Sequence, residues 1–92
     1  LNMTDYFNGF EAVIDLHGLR IEEGIEQLER FLDQALLHGE SEVKVIHGHG
    51  SGRLKSAVRA YLKKSPYAAA SHTGEPWEGG EAVTIVTLKR DR

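Results

Sequence analysis

Apolar positions change their spacing several times along this chain, and each change marks an element. Ala12 to Leu16 is an apolar run broken only by Asp15 and followed by His17-Gly18, which predicts a buried strand ending in a turn. Ile21, Ile25, Leu28, Leu32, Ala35 and Leu36 then recur at three- and four-residue steps, one stripe of an amphipathic helix. Glu22 and Glu23 sit in its first turn, where the helix dipole favours anions, and His38-Gly39 is its expected stop. Gly24 is out of place there, because glycine costs about 1 kcal/mol relative to alanine inside a helix. Glu42 to Ile46 reads as a second strand. A turn over 47–52 follows. Leu54, Val58, Tyr61 and Leu62 then mark the buried side of a second helix from Arg53 to Lys64, closed by Pro66. Tyr67 to Ser71 predicts a weak third strand, and Thr73 to Gly80 a loop of turn residues. Ala82 to Lys89, rich in Val, Ile and Thr, predicts the last strand.

This order is β-α-β-α-β-β. A strand–helix–strand crossover is right-handed and makes its strands parallel, whereas strands joined by a loop pair antiparallel. The expected fold is therefore an α/β (α+β) two-layer sandwich: a four-stranded mixed sheet with two helices on one face. Ninety-two residues with 40% hydrophobic content support one core and one domain. Residues 1–11 show no period and are expected to be a linker or leader, with the domain over 12–92. The chain opens on Leu1, as a segment of a longer protein would. Without cysteine it is held by packing alone, and no apolar run is long enough to span a bilayer, so a cytoplasmic setting with no membrane partner is expected.

Charge is uneven. The net charge is −3, yet Glu22 to Glu42 holds seven acids against Arg30 alone, while Val43 to Lys64 holds Lys44, Arg53, Lys55, Arg59, Lys63 and Lys64 and no acid. Local field steers a polyanion more than total charge does.

The basic half contains His47-Gly48-His49-Gly50-Ser51-Gly52. Glycines at alternate positions between a strand and a helix leave backbone N–H groups and a helix N-terminus facing outward, a surface suited to phosphate. The spacing matches neither a Walker motif nor the dinucleotide fingerprint. Two histidines in the turn bring acid–base chemistry close to that anion. Asp15 and His17, two apart on one strand, are expected on the same face with Cα atoms about 6.5–7 Å apart, room for a phosphate or a water between them. Asp15, His17 and His47 would then converge with the turn in one anion pocket beyond the strand ends. Bland readings stand beside these. His17 could hold its turn, Asp15 could cap loop N–H groups, and Trp77 could stack a base or cover the edge of the core. Glu75 and Glu78 suit solvent, and His47 with His49 makes a thin metal site.

Together, Asp15-Leu16-His17-Gly18-Leu19, Ile46-His47-Gly48-His49-Gly50-Ser51-Gly52-Arg53-Leu54 and Gly79-Gly80-Glu81-Ala82-Val83-Thr84-Ile85-Val86 strongly resemble the Smr (small MutS-related) domain family, from about Val13 to Leu88. The Gly-Glu-Pro and Gly-Gly segments look most like the Smr domain that closes the bacterial MutS-II proteins. Many members have Gly-Gly-x-Gly where this chain has Gly79-Gly80-Glu81-Ala82. The resemblance implies an endonuclease domain that nicks DNA or cleaves RNA, in proteins acting on recombination intermediates or stalled ribosomes. It also implies a fold similar to the C-terminal domain of translation initiation factor 3. The family's D-x-H motif falls on Asp15 and His17, and its HGxG motif on His47, Gly48 and Gly50.

Phosphodiester hydrolysis is thus the leading expectation. Asp15, His17 and His47 would be catalytic, and Gly48, His49, Gly50, Ser51, Gly52, Arg53 and Lys55 would hold phosphate. Mg²⁺ or Mn²⁺ is the cofactor such chemistry often uses, with Asp15 as the candidate ligand. Expected partners are branched or nicked DNA, or RNA including the ribosome, with any homodimerisation supplied by other domains of a parent protein. The alternatives are a binding module without catalysis and, more remotely, a nucleotide-binding fragment.

Overall fold

The computed structural model describes residues 10–90. They form β1 (Val13–Asp15), α1 (Ile21–Leu37), β2 (Glu42–Ile46), α2 (Arg53–Lys64), β3 (Ala68–Thr73) and β4 (Val83–Leu88). The strands make one sheet in the order β1-β2-β4-β3, with β1 and β2 parallel and β4 antiparallel to both its neighbours. β3 therefore runs parallel to β2 on the far side of β4. Two right-handed crossovers in the same direction place both helices on one face, where they pack together. This is the mixed two-layer sandwich the periodicity predicts.

Strand alternation decides what is buried. Val43 and Val45 of β2 enter the core, while Lys44 and Ile46 turn to the opposite face. Leu28, Leu32 and Ala35 of α1 and Val58 and Leu62 of α2 meet Val43, Val45, Val86 and Leu88. Ile21, at the head of the α1 stripe, is exposed instead. Gly24 is explained by packing: a Cβ there would lie 3.1 Å from Leu54 Cδ1, so the missing side chain lets the two helices close on each other.

Element ends differ from expectation where turns intervene. β1 stops at Asp15, although the Leu16 N–H still donates to Ile46 O at 2.7 Å. β3 begins one residue later than predicted and runs on to Thr73, because β4 pairs with it over that length, with a register shift between Ala68 and Ala70, and its own alanine-rich sequence does not advertise that partner. Ala82 belongs to a short 3₁₀ turn rather than to the last strand. Most of the expected leader lies outside the described residues, but Phe10 packs on Phe31, with ring centroids 5.1 Å apart, and stacks on His38 at 5.3 Å. Among the described residues, no helix is long and apolar enough to cross a membrane.

One edge of the sheet gathers the chemistry. The C-terminal ends of β1, β2 and β3 and the start of β4 coincide there, as Asp15 pairs with Ile46, Ile46 with Val83 and Thr73 with Thr84. The connections 16–20, 47–52 and 74–82 meet along this rim.

Candidate functional site

At the end of β1 the chain turns through Gly18, whose φ of +81° is open to glycine at little cost. The turn folds His17 back onto Asp15. Its Nδ1–H donates to Asp15 Oδ1 at 2.7 Å, and its backbone N–H donates to the same oxygen at 3.0 Å. The expected gap for a phosphate between the two groups is therefore closed: the side chains touch, because His17 has left the strand. A carboxylate only accepts, so Nδ1 carries the proton of this bond, and in the neutral ring Nε2 keeps its lone pair. These bonds from His17 hold the Asp15 carboxyl below its ordinary pKa range. Both side chains are more than half exposed.

His17 rests against the glycine turn. A Cβ on Gly48, which has φ +79°, would stand 3.1 Å from His17 Cβ. Glycine at 48 thus serves both the backbone turn and the approach of the imidazole. Gly50 and Gly52 also take positive φ, +42° and +89°. Not every N–H of the turn is available, since those of His47 and Gly48 both donate to Ala82 O at 3.0 Å. Among the described residues, His49, Gly50, Ser51 and Gly52 donate no backbone–backbone hydrogen bond. The Arg53 N–H has only a long 3.4 Å contact with Ser51 Oγ. Consecutive donors at the N-terminus of α2 thus remain unspent.

The residues of this turn line a cleft of about 590 Å³, bounded by residues 18–22 at the start of α1 and by His47 and residues 49–55. Both helix N-termini, with Arg20, Arg53 and His49, bias it towards anions, and Glu22 is the opposing charge. Asp15 and His17 do not line it. Asp15 pairs with Ile46 and shares its face, the one away from the helices. The site therefore has two parts separated by the glycine turn, rather than the single pocket expected.

His47 lies on the helix side and is 4% exposed. Its Nδ1–H donates to Gly48 O at 3.1 Å, and its Nε2 accepts from the Thr84 hydroxyl at 2.9 Å. Burial lowers its pKa, assisted by Lys55, Arg59 and His49 and opposed by the Gly48 bond. With both nitrogens engaged, this imidazole braces the turn. Lys55, expected on phosphate, forms an ion pair with Glu81 that holds the Glu81 carboxyl below its usual range. Arg59 donates to Thr73 Oγ1, tying α2 to β3.

Sequence reasoning missed Ala82, Glu81 and Thr84. Ala82 acts through its carbonyl, which leaves no mark in side-chain patterns. Thr84 is one of two hydroxyls in β4, and it is the buried one, whereas Thr87 is exposed. For a divalent ion the fit is poor: among the described residues no three His, Asp or Glu side chains gather, and Asp15 Oδ1 already accepts twice from His17.

A family model described as the Smr domain matches residues 14–89. Endonuclease MutS2 from Anaeromyxobacter sp. (strain Fw109-5) is 48% identical over 82 residues, covering 89% of this chain and 10% of that protein. Its counterpart from Geobacillus sp. (strain WCH70) is 47% identical over 85 residues, 92% of this chain and 11% of that protein. The chain thus spans about a tenth of the length of these curated relatives. The solved Smr domain of Thermus thermophilus MutS2 matches with a TM-score of 0.83 and 32% identity, covering 86% of this chain and 99% of that one. YdaL, a stand-alone small MutS-related protein from Escherichia coli, matches at 0.79 and 29% identity, over 87% and 65%. Sequence and fold agree over nearly the whole described length, and the chain belongs to the Smr domain family.

Proposed function

We propose that this domain binds a nucleic-acid strand across the glycine turn and hydrolyses a phosphodiester beside it. The observation that carries this reading is the exposed Asp15–His17 pair set against Gly48, next to a run of unspent backbone donors. Donors aimed at an oxyanion in a preformed turn need no reorganisation when charge develops. One phosphate occupies the N–H groups of 49–52 with Arg53, and the neighbouring phosphodiester lies at His17. Asp15 fixes the tautomer, and His17 Nε2 takes the proton of the attacking water as the water oxygen bonds to phosphorus; the P–O bond to the leaving sugar oxygen breaks, and that oxygen is protonated from solvent. The names of the MutS2 relatives, which call them endonucleases, support the same reaction class.

The test is cleavage of a structured RNA and nicking of supercoiled plasmid by the His17→Ala chain, with binding followed by anisotropy. Loss of a positioned base should slow cleavage on the order of 10²-fold or more, while binding changes little. Equal rates for variant and unaltered chain contradict the catalytic role. Steeply salt-dependent binding with no cleavage by the unaltered chain reduces the domain to a binding module.

A further inference from the structure

Trp77 is the chain's single tryptophan and is 81% exposed, so it does not cover the edge of the core. Lone exposed apolar side chains are common; what distinguishes this one is the frame beneath it. Pro76, Trp77 and Glu78 form a 3₁₀ turn fixed by reciprocal caps, with the Glu75 side chain accepting from the turn and Glu78 Oε1 accepting from the Glu75 N–H at 2.7 Å. The Gly74 N–H donates to Val83 O at 2.9 Å, and the Gly80 N–H to Glu75 O at 3.0 Å. Gly79, at φ +115°, sits so close to Val83 that any Cβ there would collide at 2.6 Å. The loop is thus cross-braced and loses little freedom when it binds. Three residues beyond Gly79, the Ala82 carbonyl holds His47 and Gly48. The indole and the phosphate-facing turn therefore stand on one rigid connection at the same rim.

We propose that Trp77 is a stacking platform for an unpaired nucleobase of the strand whose phosphate lies in the glycine turn. This rests on the nucleic-acid reading above and narrows its substrate to single-stranded or flipped-out nucleotides. Every base has a π-face, so stacking is indifferent to sequence, but inside a duplex both faces are covered by the neighbouring pairs, and an unpaired base can turn one outward. The acids around the ring favour this occupant. Glu75 and Glu78 are committed to backbone N–H groups and repel phosphate, whereas a base is uncharged.

With no second tryptophan in the chain, its emission reports on this ring alone. The 92-residue chain is titrated with a short labelled single strand and with a blunt duplex of the same sequence, following probe anisotropy and tryptophan emission together. Emission should be quenched in step with single-strand binding and much less by the duplex. Trp77→Ala should weaken single-strand affinity roughly tenfold with an unchanged salt slope, since no counterion contact is lost. Trp77→Phe should recover most of it. Binding with unaltered emission and wild-type affinity for Trp77→Ala overturns the platform and leaves the phosphate reading intact. No anisotropy change with either probe removes both. Emission that shifts with protein concentration alone places the ring between copies of the chain and also overturns the proposal.

Discussion

His17 follows β1 and His47 follows β2, at neighbouring strand ends on one edge of the sheet. His17 stands in solvent with Nδ1 on a carboxylate and Nε2 open. His47 is buried, with its two nitrogens taken by Gly48 O and the Thr84 hydroxyl. The difference arises from alternation at the strand ends. β2 continues its inward set from Val43 and Val45 to His47, whereas β1 delivers Asp15 to the outer face and the Gly18 turn carries His17 back to it. Two imidazoles a few residues from the same glycine turn thus differ in kind: His17 keeps an open ring nitrogen in solvent, and His47 is tied into the turn; on the proposed function the first would move protons and the second would brace the phosphate donors.

Asp15→Asn breaks this division most severely. An amide can donate to Nδ1 and so favour the proton on Nε2, leaving no base there. Cleavage should fall on the order of 10²-fold or more with binding retained, as seen in single-turnover rates and anisotropy. Gly48→Ala strikes the contact between the halves. A left-handed φ costs a non-glycine residue about 1–2 kcal/mol, and the added methyl presses on His17. Denaturation should show that loss, and cleavage should drop further than binding.

His47→Gln tests the structural half. Losing the Thr84 pairing should destabilise the fold by about 1–3 kcal/mol in urea titrations at neutral pH. The pH dependence has a definite sign. Burial lowers the His47 pKa in the folded chain, so below about pH 6.5 the unfolded chain takes up a proton that the folded one resists. Stability from this group is present above that pH and declines as pH falls towards the folded value; His47→Gln should flatten the decline. The smallest effect belongs to Glu81→Gln. Releasing Lys55 and removing a nearby acid should tighten oligonucleotide binding about threefold at low salt, a gain that fades as salt screens it.

The fold was largely legible because helices and strands announce themselves by period. The stripe of α1, the alternation of β2 and the glycine turn all lie where spacing puts them. What stayed hidden was non-local or side-chain free. Gly24 reads as a defect in its own helix, and its reason is Leu54 on another one. Lys55 looks unpaired in the sequence until the 74–82 connection brings Glu81 beside it. His17 and His47 look equivalent in sequence, and burial together with their hydrogen-bond partners separates them. Trp77 could be placed in a loop from sequence, but not in or out of solvent.

The central claim is that substrate meets His17 and not His47. Histidine-resolved ¹⁵N NMR during titration with a short single strand tests it in one measurement, at a pH where both rings are neutral. We expect both imidazoles to carry their proton on Nδ1 and only the His17 Nε2 resonance to move on binding. A His47 Nε2 resonance that moves while His17 stays still would contradict the account.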